Sequence, residues 1–198
     1  GKLTNMSGMF KDCDNLKSIN FGNINTQNVK DMSSLFENCS SLSEIDLSSF
    51  DTRNVETMLD MFYKCSGLTS LNVSKFNTSK VTNMCGMFYQ CSGLTSLDLS
   101  GFDTSHVTDM RDMFYKCSGI TSLDLHSFKT EAVKFLGNMF EGCSNLVTLD
   151  VNGWNPTNVT NMEKMFYGCQ SLSGLDMSTW NINCNGAYSR DVFTGCYD

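Results

Sequence analysis

The chain has 198 residues, 40% of them apolar and 18% charged, and a formal charge of −7 at pH 7. That acidity argues against nucleic acid as a partner, because phosphate binding needs a basic stripe. No apolar run approaches the ~18 residues of a membrane span, and a single proline argues against long linkers or disorder.

The opening, GKLTNMSGMF, already reads as the helical half of a repeat rather than a signal peptide or a polar cap. It points to a piece cut from a longer array, with any targeting segment outside it. Cysteine then sets a ruler. Cys13, Cys39, Cys65, Cys91, Cys117, Cys143 and Cys169 stand 26 residues apart, Cys196 follows after 27, and a phenylalanine stands three residues before each, from Phe10 to Phe193. A period of this length signals stacked repeats rather than a closed globule. The expected organisation is one solenoid domain over 1–198, made of seven 26-residue units and a degenerate C-terminal unit over about 181–198.

Each unit carries two rhythms. After the cysteine, Leu68, Leu71 and Val73, or Leu94, Leu97 and Leu99, alternate as a strand with one buried face. An aromatic row follows: Phe50, Phe76, Phe102, Phe128, Trp154 and Trp180, with Ile24 in the first unit. Next, Val107, Met110, Met113, Phe114 and Cys117 fall on one side of a helical wheel, so the spacing predicts a short amphipathic helix. Thr104, Ser105 and Thr108 suit its start, since their oxygens can accept from free backbone N–H groups. One unit cannot bury its own face, whereas stacked units can. The predicted fold is an α/β repeat solenoid, with a parallel sheet on the concave side and short, wider helices on the convex side.

The strand segment Leu94-x-x-Leu97-x-Leu99-x-x-Phe102 resembles the leucine-rich-repeat pattern, with an aromatic in place of the usual Asn or Cys. The full unit VTNMCGMFYQCSGLTSLDLSGFDTS resembles the 26-residue repeat of bacterial surface proteins of the BspA-like leucine-rich-repeat group. The resemblance spans nearly all of the chain. It implies a cell-surface or secreted protein of adhesive function that binds a protein or glycan on a host or neighbouring cell. It implies no enzyme, no cofactor and no residue-level site, because the motif is the scaffold itself. Two units depart from the pattern. Residues 129–137, KTEAVKFLG, place Phe135 where others have a polar residue, and residues 181–196 have lost the Met positions.

Ten cysteines read mainly as a buried, reduced ladder, since eight lie on the apolar side of the helix. Cys85 stands out of rank and is expected to be a free surface thiol. Cys184, twelve residues before Cys196, raises the alternative of a Cys184–Cys196 bond closing the last unit. The sequons at Asn5, Asn38, Asn72, Asn77 and Asn158 carry little weight in a chain rich in Asn, Ser and Thr.

Function is expected on rows that do not build the core. On the strands, alternation turns Asn20, Asp46, Asn72, Asp98, Asp124, Asp150 and Asp176 outward. Carboxylates about 5 Å apart repel by roughly 0.8 kcal/mol per neighbouring pair even in water, so the run has either a use, toward a cation or a basic partner, or a bland role in bonding nearby hydroxyls. A flat row supplies calcium ligands poorly, so no specific metal site is expected. Ser18, Ser70, Ser96, Ser122 and Thr148, flanked by Glu44 and Gly174, form a hydroxyl row on the same face that suits sugar, ordered water or plain solubility. On the helices, Tyr63, Tyr89, Tyr115 and Tyr167, extended by Leu59, form a candidate partner patch; alternatively each ring lies on its neighbour. His126, beside Asp124 and Asp150, belongs to the strand face, and His106 lies in a loop. An Asp124–His126 pair near Ser74 or Ser100 has no oxyanion site or cleft, so catalysis is not expected.

The leading reading is an adhesive binding module, expected to be monomeric, with the strand face (Asp98, Asp124, Asp150, Asp176 and His126) ahead of the tyrosine face. The alternative is a structural spacer that binds nothing itself. Ice or mineral binding through the flat face is a third possibility, and the carboxylates make ice the poorer fit of the two.

Overall fold

The computed structural model describes residues 2–181 and 189–196. Each 26-residue unit forms one rung, and equivalent residues of successive rungs stack in columns. One continuous apolar core runs from Met6 to Val192. Its centre is the phenylalanine column, in which the rings of Phe36, Phe62, Phe88, Phe114, Phe140 and Phe166 are fully buried. Adjacent rings lie nearly parallel along the column, with centroids 5.4–5.9 Å apart. The repeat solenoid read from the cysteine period is thus the fold that forms.

The helices do not form. Val107, Met110, Met113, Phe114 and Cys117 are all buried, as their spacing requires, but the described residues contain no helix. Each unit has two left-handed residues four apart, such as Asp60 and Lys64, Gly86 and Gln90, or Asp112 and Lys116. A right-handed helix cannot run through such residues. The N–H groups alternate instead. Those of Met84, Gly86, Phe88 and Gln90 donate to the carbonyls of Asp109, Arg111, Met113 and Tyr115 in the next rung, at 2.7–3.0 Å. Those of Met87, Tyr89 and Cys91 donate to carbonyls three residues back, at 3.0–3.2 Å. The segment is a coil of successive turns that spends half its donors on its neighbour. Helical periodicity and this coil place the same side chains inward, which is why the pattern alone does not separate them.

The strands are also sparser than expected. β1 (Ser122–Asp124) and β2 (Thr148–Asp150) pair in parallel, with Leu123 opposite Leu149 and Asp124 opposite Asp150. They are the regular strands among the described residues. Equivalent segments of other rungs keep the alternation, with Leu71, Val73, Leu97 and Leu99 buried, but form no continuous ladder. Isolated parallel bridges link the rungs instead along the coil, from Asn5–Asp31 through Phe135–Asn161. Without helices, the argument that a wide helical side bends the stack around the sheet loses its premise. Ring centroids are 4.2 and 4.4 Å apart in the tyrosine column on the coil, closer than in the core.

Two side-chain ladders join the rungs. Thr26, Thr52, Thr78, Thr104 and Thr130 are buried. The Thr104 hydroxyl does not cap a helix; it donates to the Lys129 carbonyl at 2.9 Å and accepts from the Lys129 N–H at 2.8 Å. Thr26, Thr52 and Thr78 make the same reciprocal pair with Asp51, Asn77 and Asp103. The cysteine ladder adds a thiol bond per rung, for example Cys91 Sγ to the Phe62 carbonyl at 3.1 Å and Cys117 Sγ to that of Phe88 at 3.0 Å. Burial raises these thiols: Cys39 is pushed up to about 11, Cys169 to about 12, and Cys91, Cys117 and Cys143 well above the ordinary range.

Cys85 is not the accessible thiol expected from its rank. It is half-buried, and burial, followed by the negative charges of Asp109, Asp112 and Asp60, pushes it up to about 12. The coil turns this position toward the neighbouring rungs, where a helix would have pointed it at solvent. Cys184 lies outside the described residues, and with it the Cys184–Cys196 question. Phe135 is accommodated beneath the Arg111 guanidinium, 4.9 Å from the ring centroid, and Arg111 in turn pairs with Asp109 at 2.6 Å.

Candidate functional site

The strand face carries the acidic run where the alternation places it. Each Asp or Asn of the row follows an inward-facing leucine or isoleucine, buried at Leu71, Leu97, Leu123 and Leu149 and half-buried at Ile19, Ile45 and Leu175, and opens the turn after the strand segment. Its side-chain oxygen accepts from the N–H two residues on: Asp98 from Ser100 at 3.0 Å, Asp150 from Asn152 at 2.9 Å and Asp176 from Ser178 at 2.9 Å. Asp98 also accepts from the Ser100 hydroxyl at 2.7 Å. These bonds hold carboxylates below their ordinary pKa: Asp98 through the Ser100 hydroxyl and N–H, Asp176 through the Ser178 N–H and hydroxyl. The charge of Asp124 pushes Asp98 the other way, and more weakly. The row is thus locally bonded, with Asp98, Asp124 and Asp176 exposed.

Asp124 differs from its neighbours. Its carboxylate accepts from His126, with Oδ1 2.6 Å from Nδ1, which lowers Asp124 and raises the exposed imidazole. Ligand atoms of Asp124, His126 and Asp150 lie within 4.8 Å of one another. This mixed oxygen and nitrogen set is the group that could hold a metal ion, and it exists because β1 and β2 pair in register. A shallow recess of about 370 Å³ lies along the same strands, lined by Asp124, Thr148, Asp150, Asn152 and Asp176 among others. The hydroxyls of Ser74 and Ser100 bond Asn72 and Asp98 of their own turns, and His106 is bonded to Ser105 at 3.2 Å.

The tyrosines form a continuous column on the coil. Tyr63, Tyr89 and Tyr115 are half-buried and stack ring on ring, at 12° and 9° between planes. Burial, followed by the neighbouring phenols of Tyr63 and Tyr115, pushes the Tyr89 hydroxyl upward. Tyr167 is exposed, and Leu59 is half-buried. The rings of Tyr63, Tyr89 and Tyr115 do lie on one another, and this column offers a partner ring edges and hydroxyls rather than faces. Lys64 Nζ sits over the Tyr63 ring at 5.2 Å and Lys116 Nζ over Tyr115 at 5.1 Å. The interest of these lysines was not visible in the tyrosine spacing; the signal was their position directly after the tyrosines, in the left-handed column.

Comparisons with known proteins agree with this architecture. Residues 4–120 and 92–197 match the model of a family described as Mycoplasma protein of unknown function, DUF285. No curated protein sequence matches the chain. Among solved structures, the chain is similar to a leucine-rich repeat protein of T. pallidum, at 22% identity and a TM-score of 0.52, covering 86% of this chain and 72% of that one. A leucine-rich repeat protein from Bacteroides ovatus is a looser likeness, at 13% identity and a TM-score of 0.32, over 98% and 80% of the two chains. The first of these bears out, at the level of fold, the leucine-rich-repeat resemblance seen in the repeat.

Proposed function

The chain belongs to the DUF285 family, and from that premise we propose that it is a surface-displayed adhesive module whose acidic strand face receives a basic protein or glycan partner on a host or neighbouring cell. The observation that carries this reading is the run Asp98, Asp124, Asp150 and Asp176, one carboxylate on each of four consecutive rungs, each bonded within its own turn. The hydrogen bonds explain why these residues are Asp or Asn. They do not explain why the charged form fills four rungs in succession, since Asn20 and Asn72 make the same turn bond without the repulsion. A solenoid offers such a row as an extended surface with regular spacing.

The experiment is a screen of the protein against matrix proteins and a glycan panel, followed by two variants against each ligand found. Asp98, Asp124 and Asp150 changed together to Asn weaken binding and flatten its salt dependence, while Tyr89→Ala leaves binding intact. If the triple variant binds at full strength with unchanged salt dependence and Tyr89→Ala fails, the tyrosine column is the site. A blank screen favours the spacer.

A further inference from the structure

On another flank, a trough of about 470 Å³ crosses four rungs. One side is a hydroxyl ladder of Ser40, Ser66, Ser92 and Ser118. The other side is the left-handed column, which here presents Asn38, Lys64, Gln90 and Lys116. Directly after the serines the rungs approach closely: a Cβ on Gly93 would lie 2.5 Å from the Ser66 carbonyl oxygen, and one on Gly119 2.4 Å from that of Leu94. The trough spans the units that read NCSS, KCSG, QCSG and KCSG.

The wall residues carry a conformational cost. In later rungs the same column holds Gly142, Gly168 and Gly195, for which a positive φ is easy. Lys64, Gln90 and Lys116 adopt φ of 57°, 53° and 52° at a cost of roughly 1–2 kcal/mol each. Asp12 and Asn38 hold the same column in the first rungs, so what sets this stretch apart is its two lysines. Neither Lys64 nor Lys116 is in an ion pair among the described residues; each ammonium rests on a tyrosine ring, where an anion can still reach it.

We infer that this trough is a binding site for an acidic glycan, an extended saccharide chain carrying a carboxylate or sulfate on alternate sugars. Rungs advance by about 5 Å, close to the length of one sugar in an extended chain. From Asn38 to Lys116 the wall reads neutral amide, cation, neutral amide, cation, so its charge repeats every second rung and complements a polymer charged on every second sugar. The serine ladder and Gln90 supply hydrogen bonds for sugar hydroxyls, and the volume falls within the range of about 300–1,000 Å³ typical of ligand sites. Asp14 stands at one end and bounds the run. The chain's net negative charge does not forbid this, because charges more than about 8 Å away are largely screened at physiological salt.

The test uses a hyaluronan octasaccharide, with one carboxylate per two sugars, as probe for the intact protein. Calorimetry at low and physiological salt is compared with a neutral malto-octaose and with an oligoglutamate peptide. Lys64→Gln combined with Lys116→Gln is expected to fold, since Gln90 occupies the same position, and circular dichroism checks it. The expected result is salt-sensitive binding of the acidic octasaccharide alone, weakened about tenfold or more by the double variant and unchanged by Lys129→Gln outside the trough. Ser92→Glu, placing a negative charge at the trough's centre, weakens it as well. No binding of the octasaccharide, equal binding by the double variant, or equal binding of malto-octaose overturns the proposal. Oligoglutamate bound as tightly as the octasaccharide overturns the glycan assignment and leaves an acidic peptide site.

Discussion

Replacing Thr78 with valine tests whether the threonine ladder holds the rungs together. Thr78 is 1% exposed, and its Oγ1 donates to the Asp103 carbonyl at 3.0 Å and accepts from the Asp103 N–H at 2.8 Å. Valine preserves shape and β-branching, so the core is not remodelled, but both bonds vanish and two backbone groups of the next rung lose their partner. An unsatisfied buried group costs about 1–3 kcal/mol. Asp103 is only partly buried, which lets water recover a share, so the expected loss is about 2–4 kcal/mol. Thr78→Ser keeps the hydroxyl and loses one methyl, for about 1 kcal/mol. Denaturant unfolding measures the totals. A repeat array can open rung by rung, so amide hydrogen exchange supplies the local readout. The Asp103 amide loses protection in the valine variant, while that of Lys129, held by Thr104, serves as internal reference. A valine variant within 0.5 kcal/mol of the parent, with Asp103 protection unchanged, would falsify the ladder's role. So would a serine variant as damaged as the valine one.

Phe88→Ala removes a fully buried ring stacked between Phe62 and Phe114 and should cost about 3–5 kcal/mol; a loss under ~1 kcal/mol in chemical denaturation contradicts a close-packed column. Cys85→Ser should leave the number of rapidly titrating thiols in the native protein unchanged at pH 8, because Cys85 is held up to about 12; losing one fast thiol restores the exposed reading. Asp60 is half-buried and pushed up to about 6 by burial and then by Glu37 and Asp112. Its folded-state pKa lies above the unfolded one, so the stability it contributes is fully present below about pH 4 and is lost as pH rises through about 6. Asp60→Asn should therefore be more stable than the parent at pH 7, by about 1 kcal/mol after allowance for solvent screening, with the gain shrinking in acid. A variant less stable than the parent at pH 7 by thermal unfolding rejects the assigned cause.

The repeat, the register of its columns and the identity of the buried face were legible in the residues themselves. Cys13 to Cys169 stand at one fixed spacing, and any structure that stacks them must also align Phe on Phe and Met on Met. The outward Asp row was equally legible, because alternation about Leu97 and Leu99, or Leu123 and Leu125, leaves few options for Asp98 and Asp124. What the spacing left open was the backbone between those columns. A helix and a coil of turns both send Val107, Met110, Phe114 and Cys117 inward; the choice was made by where the N–H groups find acceptors, and a stacked neighbour offers Asp109, Arg111, Met113 and Tyr115 carbonyls to Met84, Gly86, Phe88 and Gln90. From that choice followed the shielding of Cys85, the stacking of the tyrosines, the threonine bonds between rungs, and the wall of Lys64, Gln90 and Lys116. Side-chain periodicity records which face is buried. Hydrogen bonds between residues 25 apart belong to the assembled stack, and only the tertiary structure could decide them.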